Sequence, residues 1–416
     1  LEGSTRYHRR YGSTILDPAN LGIDDRPRGG KNRRISVGRY LTPRRVANIA
    51  LNHLEAKLRV PTPRSLPRSL DIVLTKACNL NCTFCISSTL ENARWLEFEV
   101  YERIAAELFP TASRLSICSG GEPLLYPRIR DVLRIASDYG VKTLMVSNGM
   151  LLKEDVREWL VADQTLGIYY VSLDGSTKEV LERIRRGARF ETIVENVTEF
   201  SRLRNAARKR LPRLGIRFSV MRSNAEDLVG ISALAGQMGV EEVLVSYVNF
   251  ANDMSPQDSL YYDQDYAADV FARARAAAAQ HGVKMVLPPL PREDKENQRC
   301  DFPWEFAQIE ADGSVRHCYM AWVQTVGNFV DGFADIWRGE AYGKIRSTME
   351  GDDPYFPYCK VCAWRKGCNN EAAHNHRLHM DAFKFKDPEA VVPLAFNRRS
   401  EENRTAFKLS PSRRRD

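Results

Sequence analysis

From position 70 to about 285 the chain alternates short runs rich in β-branched and aromatic residues with longer amphipathic stretches. No other feature limits the fold as much. Strand-like runs fall at 70–75, 114–118, 142–146, 168–173, 216–221 and 242–248. Helical patterns fall near 97–109, 128–139, 153–162, 190–209, 226–238 and 263–281. Strands that alternate with helices pair in parallel, because a parallel connection needs a crossover. The expectation is an α/β fold, a partial (β/α)6 TIM-like barrel that six units leave open. Such folds gather ligands at the carboxyl ends of their strands.

The ends differ from the middle. Residues 1–70 hold 15 Lys/Arg against 5 Asp/Glu, and residues 397–416 hold 7 against 3. Solvated arms explain such charge more readily than a nucleic-acid, lipid or acidic-peptide partner, and nucleic acid is not expected. Thr42-Pro43 starts a helix with an apolar stripe through Val46, Ile49, Ala50, Leu54 and Leu58, and Pro61, Pro63 and Pro67 end it. With 43% hydrophobic residues the chain can bury a large core. It holds no run of 18 apolar residues and no export signal, which points to the cytoplasm without a transmembrane segment. After Pro288-Pro289 the alternation gives way to a stretch rich in Cys and Trp, a smaller C-terminal domain.

Eight of nine cysteines lie in two clusters. Without export, metal ligation explains them better than disulfides. Cys78, Cys82 and Cys85 form C-x3-C-x2-C directly after the first strand. Three close thiolates hold three irons of a [4Fe–4S] cube and leave one iron open, whereas structural zinc wants a fourth ligand that is not nearby. The ninth cysteine, Cys118, sits in the second strand and reads as a small buried hydrophobe.

Placed there, the motif resembles the radical S-adenosylmethionine (radical SAM) superfamily. The resemblance implies that the open iron chelates S-adenosylmethionine, whose reductive cleavage gives a 5′-deoxyadenosyl radical that takes a substrate hydrogen. It implies an electron donor of flavodoxin or ferredoxin type. Ser119-Gly120-Gly121-Glu122-Pro123 resembles the segment that binds the methionine amino group, with Glu122 an acceptor. Ser147 and Asn148 sit where the family binds ribose, and Ser172 and Asp174 offer polar contacts at the next strand end. Arg185 resembles a partner of the methionine carboxylate, with Arg183 and Arg186 competing. Phe84 matches an aromatic packed on the adenine side.

The second set, Cys300, Cys318, Cys359, Cys362 and Cys368, resembles the SPASM and twitch extensions of that family, which carry auxiliary [4Fe–4S] clusters. The next SPASM cysteine is replaced by Ala372. Five thiols suffice for one closed auxiliary cluster but not two, and Cys368 is the most readily spared. His374, His376 and His379 read as solvated. Trp304, Trp322 and Trp364 are candidates for the apolar shell around the cluster.

The domain reading is a basic arm and helix over 1–69, a radical SAM core over 70–287, a SPASM/twitch-like domain over 288–380 and a basic tail over 381–416. Catalytic acid–base residues cannot be ranked; Tyr247, Arg222, Asn224 and Glu305 are rim candidates. The leading functional expectation is hydrogen abstraction for oxidation or rearrangement of a carbohydrate-like or other small biosynthetic substrate. The alternatives are a SPASM-type peptide maturase and a non-catalytic iron–sulfur or zinc protein.

Overall fold

The computed structural model describes residues 40–85, 94–248, 258–260, 263–288, 290, 300–319, 325–351, 354–356 and 359. The principal strands are β1 (Ser69–Ile72), β3 (Arg114–Ile117), β4 (Lys142–Ser147), β5 (Ile168–Ser172), β7 (Arg213–Val220), β8 (Glu242–Tyr247) and β9 (Lys284–Val286). The connecting helices are α2 (Phe98–Leu108), α3 (Ile129–Asp138), α4 (Glu154–Asp163), α5 (Lys178–Ile184), α6 (Phe190–Ala206), α7 (Asp227–Gln237) and α8 (Gln264–Gln280). Two short strands, β2 (Asn81–Cys82) and β6 (Arg185–Arg186), pair antiparallel apart from the main sheet.

The C-terminal segment adds β10 (Phe306–Ile309), β11 (Ser314–Arg316) and β12 (Gly327–Asn328), with α9 (Phe302–Glu305), α10 (Phe333–Arg338) and α11 (Glu340–Thr348). The main sheet runs β12-β11-β10-β1-β3-β4-β5-β7-β8-β9. Every pair from β10 to β9 is parallel, and the β10-β11-β12 turns are antiparallel. The partial barrel is therefore present with additions at both edges: β9 extends one side, and β10 lies against β1 on the other. The sequence rhythm had placed neither addition, because Lys284–Val286 is only three residues long and β10 comes after the rhythm has broken.

Alternation along the strands separates two faces. Leu70, Ile72, Leu115, Ile117, Ile216, Phe218, Val243 and Val245 point to the helices and form the main core. Helix α3 meets it with Ile129, Val132, Leu133 and Ala136, spaced as one helical face requires. On the inner face Leu144, Ile168, Tyr170, Leu244 and Val286 make a separate apolar cluster, the barrel floor. Gly215 is needed there: a Cβ would stand 2.4 Å from the Tyr170 ring.

Helix α1 (Pro43–Lys57) reverses the expectation from its apolar stripe. Thr42 caps it and Pro43 opens it as anticipated, yet Val46, Ala50, Leu54 and Leu58 are exposed while Arg45, Asn48, Asn52 and Glu55 are buried. The reason is hydrogen bonding. Arg45 donates to the carbonyls of Phe109, Tyr139 and Gly140 at 2.7, 2.8 and 3.0 Å, capping the ends of α2 and α3. Asn52 donates to Trp304 O at 2.6 Å, and Glu55 accepts from the backbone of Arg64 and Ser65. Unpaired main-chain carbonyls at these helix ends outweigh burial of a few leucines.

Candidate functional site

The first cysteine cluster is held from two sides. Cys82 lies in β2 and faces Arg185 of β6, and Cys85 N–H turns back to Cys82 O at 3.2 Å. The Arg185 guanidinium donates to Cys82 Sγ at 3.8 Å and pairs with Asp174 at 2.6 Å. On the other side Asn148 Nδ2 donates to Asn79 Oδ1 at 2.8 Å and reaches Cys78 Sγ at 4.0 Å. Burial pushes the Cys82 thiol up to about 11 although Arg185 draws it down, and burial also raises Cys78. A metal binding these thiols must displace their protons.

The segment after β3 is pressed onto the segment leading to Cys78. Gly121 N–H donates to Thr75 O at 2.7 Å and Glu122 N–H to Ala77 O at 2.8 Å. Gly120 takes φ of +87°, and a Cβ on Gly121 would lie 1.8 Å from Ala77 O. Both glycines are thus required by close backbone approach. Glu122 is buried, and three groups already donate to its carboxylate: Ser147 Oγ at 2.8 Å, Asn148 N at 2.8 Å and Leu124 N at 3.0 Å. Burial lifts this carboxyl above its ordinary range, and those donors oppose the shift. Its geometry is that of a tie between the ends of β3 and β4. Among the described residues no backbone N–H outside the regular elements donates to the carbonyls of Gly120 and Gly121.

Ser147 ends β4 with Asn148 just beyond it, Ser172 ends β5, and Asp174 follows two residues later, fully buried. Asp174 accepts from Ser219 N at 2.6 Å and holds Arg185. Burial opposes the charge on Arg185, and the Asp174 carboxylate together with the Cys82 and Cys85 sulfurs outweighs it. Arg183 instead donates to Ser223 O, and Arg186 is exposed, so of the three arginines only Arg185 faces the cysteines. Its guanidinium also stands 5.5 Å from the Phe84 ring.

Cys300 is half-buried, and Cys318 and Cys359 are buried; Cys362, Cys368, Ala372, the three histidines, Trp322 and Trp364 lie outside the described residues. Trp304 is buried against α1, donating to Val60 O at 2.8 Å. Two rim candidates move away from the site. Glu305 precedes β10 at the end opposite the rim and pairs with Arg68, while Arg222 pairs with Asp263 on the surface. Asn224 is a structural tie to Met221 N and Asp174 O. Tyr247 ends β8 beside Phe271.

Cys118 corrects its sequence reading. It lies one residue beyond β3 on the inner face, protein surrounds it, and solvent still reaches it. Its Sγ donates to Asp71 Oδ1 at 3.3 Å, and Gln308 donates to Asp71 Oδ2 at 2.9 Å. Asp71, Gln308 and Arg217 were not anticipated. Polar residues at alternate positions of an otherwise apolar strand are the available signal, and in one sequence that signal is shared by solvent-facing strands.

Three short segments after successive parallel strands therefore meet around three thiols, with donors aimed at two of the sulfurs. That donor set fits an iron–sulfur cluster. A family model described as the radical SAM superfamily matches residues 72–206, and one described as the SPASM iron–sulfur cluster-binding domain matches residues 300–363. The tungsten-containing aldehyde ferredoxin oxidoreductase cofactor-modifying protein of Pyrococcus furiosus is 24% identical over 72% of this chain and 88% of its own. The PqqA peptide cyclase of Rhodopseudomonas palustris is 25% identical over 77% of this chain and 86% of its own. The fold is shared with Streptococcus suis SuiB, solved bound to precursor peptide SuiA, at TM-score 0.57 and 16% identity over 83% of this chain and 80% of that one. Iron–sulfur clusters and S-adenosylmethionine are the cofactors of such a protein. Residues 72–206 are therefore a radical SAM domain and residues 300–363 a SPASM iron–sulfur domain, the pairing of a radical SAM enzyme.

Proposed function

We propose that this enzyme modifies a peptide substrate by hydrogen abstraction. The observation that supports a peptide is the likeness, over about three quarters of the chain, to the PqqA peptide cyclase, reinforced by the fold common to SuiB. This displaces the carbohydrate-like substrate expected first, which none of the relatives described above favours. The second reading is a small cofactor as substrate, after the Pyrococcus relative.

In this reading Cys78, Cys82 and Cys85 hold a [4Fe–4S] cluster. That cluster, with S-adenosylmethionine bound, supplies the 5′-deoxyadenosyl radical. The carbonyls of Gly120 and Gly121 accept from the methionine ammonium, and Glu122 positions Ser147 and Asn148 toward the nucleotide. Asp174 orients Arg185, which sets the Cys82 sulfur in place and offers a cation to the methionine carboxylate. Ser172 contributes a hydroxyl at the same rim. Cys300, Cys318, Cys359 and Cys362, with Cys368 to spare, hold one auxiliary cluster, so reconstituted protein carries about eight irons per chain. The domain boundaries at 69, 287 and 380 follow the same division, and the electron donor is a flavodoxin or ferredoxin of the cytoplasm. Among the described residues no helix is long and apolar enough to cross a membrane.

The test is turnover with the small peptides encoded beside the gene. Peptides should raise 5′-deoxyadenosine release above the substrate-free rate, in step with a mass change in the peptide. Stimulation by a small cofactor and by no peptide selects the second reading.

A further inference from the structure

The inner face of the barrel carries a cation whose guanidinium pairs directly with no carboxylate among the described residues. Arg217 is on β7, in register with Ser172 at the rim and Leu244 at the floor. It shares its face with Arg213 and Gly215, while its neighbours Ile216 and Phe218 are in the helix-side core. It is half-buried, and its guanidinium makes no hydrogen bond or ion pair with any described residue; the buried Asp174 carboxylate, which feels its charge, is held by Arg185. Other cations of this face and its edges are paired: Arg213 with Glu241 at 3.2 Å, Lys284 with Glu242 at 2.7 Å, Arg185 with Asp174 at 2.6 Å.

What surrounds Arg217 is built to receive a group with an apolar stem and an anionic head. Below it lies the floor of Leu144, Ile168, Tyr170 and Leu244. Across the space stand Cys118 and Tyr319, both within electrostatic reach of the guanidinium. Near them Gln308 is buried with its Oε1 unpartnered, its Nε2 being used on Asp71. Solvent reaches Cys118, so the space is open to small groups. A planar guanidinium with free N–H groups presents a fork that matches a carboxylate.

We infer that Arg217 binds a carboxylate of the substrate, so that the peptide segment held in the barrel carries an aspartate or glutamate. This rests on the peptide reading for the word peptide, though not for the anion. The Arg217 fork grips the carboxylate, the apolar floor takes the methylenes, and the unpartnered Gln308 oxygen is free for a donor of the same segment. The acidic side chain thereby fixes which residue of the segment stands below the rim, where the radical forms.

The probes are acetyl-Ala-Glu-Ala-amide, its Gln counterpart, glutarate and glutaramide, with binding to anaerobic holoenzyme followed by saturation-transfer NMR. The proteins are wild type, Arg217→Gln and Arg217→Lys, each also titrated with S-adenosylmethionine. For wild type, the Glu peptide should bind about tenfold or more tighter than the Gln peptide. The preference should vanish in Arg217→Gln, return in part in Arg217→Lys, and leave the nucleotide titration unchanged. Equal binding of the two peptides by wild type overturns the proposal without recourse to any variant, and so does a preference that survives in Arg217→Gln. Loss of nucleotide binding in Arg217→Gln also overturns it, because the carboxylate is then that of the methionine moiety. If neither peptide binds while glutarate binds better than glutaramide through Arg217, the anion site stands and the peptide reading fails. If none of the four binds, the anion site itself is wrong.

Discussion

Substituting Gly121 by Ala tests how the site is assembled. The added methyl would stand 1.8 Å from Ala77 O and 2.5 Å from Ala77 C, where real Cβ contacts stay beyond 3.0 Å. Those atoms are backbone, so no side chain can swing aside. The segment after β3 and the segment carrying Cys78 must part by about 1 Å or more. That parting breaks the bonds from Gly121 N to Thr75 O and from Glu122 N to Ala77 O. With each partly buried pair worth about 1–3 kcal/mol once left unmade, the loss is about 2–6 kcal/mol. Gly343→Ala is the matched control: a Cβ there meets nothing within 4 Å, inside α11, so it should gain about 0.5–1 kcal/mol. Urea unfolding under anaerobic conditions gives both energies, and iron per chain after reconstitution reports the loop. Gly121→Ala should lose stability and first-cluster iron together. A variant within about 1 kcal/mol of wild type and fully loaded with iron would refute the close approach on which the site depends.

Three further outcomes follow from the geometry. Arg45→Met strands the carbonyls of Phe109, Tyr139 and Gly140 and should lower stability by about 3 kcal/mol or more in urea titrations, whereas Leu54→Gln on the exposed face should change it by less than about 0.5 kcal/mol. Burial and the nearby Arg114 bring Lys142 down to about 8 from an ordinary 10.5, so the folded chain releases this proton before the unfolded one does. Its contribution to stability should therefore rise as pH climbs from 8 to 10.5. Lys142→Met should flatten that rise and gain about 1–2 kcal/mol at pH 7, read from unfolding curves across pH. Cys82→Ser should lose about half the iron, the first cluster, and keep the absorbance of the auxiliary one; loss of all iron would contradict separate clusters.

The barrel was legible because its strands and helices have different apolar periods. The observed β4, β5 and β8 lie within a residue or two of the sequence reading, and so do α2, α3 and α4. What stayed hidden was pairing over long sequence distance. Nothing local in Phe306–Ile309 says that it lies beside Ser69–Ile72. The face of α1 was misread for a related reason: its apolar stripe is real, but the carbonyls that recruit Arg45 are supplied by helices more than sixty residues away. At the site the cysteines and the two glycines announced themselves by spacing. Glu122 was placed correctly at the rim, but its three donors are visible only in the fold. Cys118 looked apolar from its neighbours Leu115 and Ile117, although strand alternation turns it to the opposite face from them.

The central claim is that the loop after β1 carries a cluster with one iron open to S-adenosylmethionine. Electron paramagnetic resonance of the dithionite-reduced, anaerobically reconstituted enzyme, before and after adding the nucleotide, addresses it most directly. The account predicts a [4Fe–4S]⁺ signal that shifts on addition and disappears in Cys82→Ser, with 5′-deoxyadenosine in the same tube. A signal indifferent to the nucleotide, or one retained unchanged in Cys82→Ser, would contradict it.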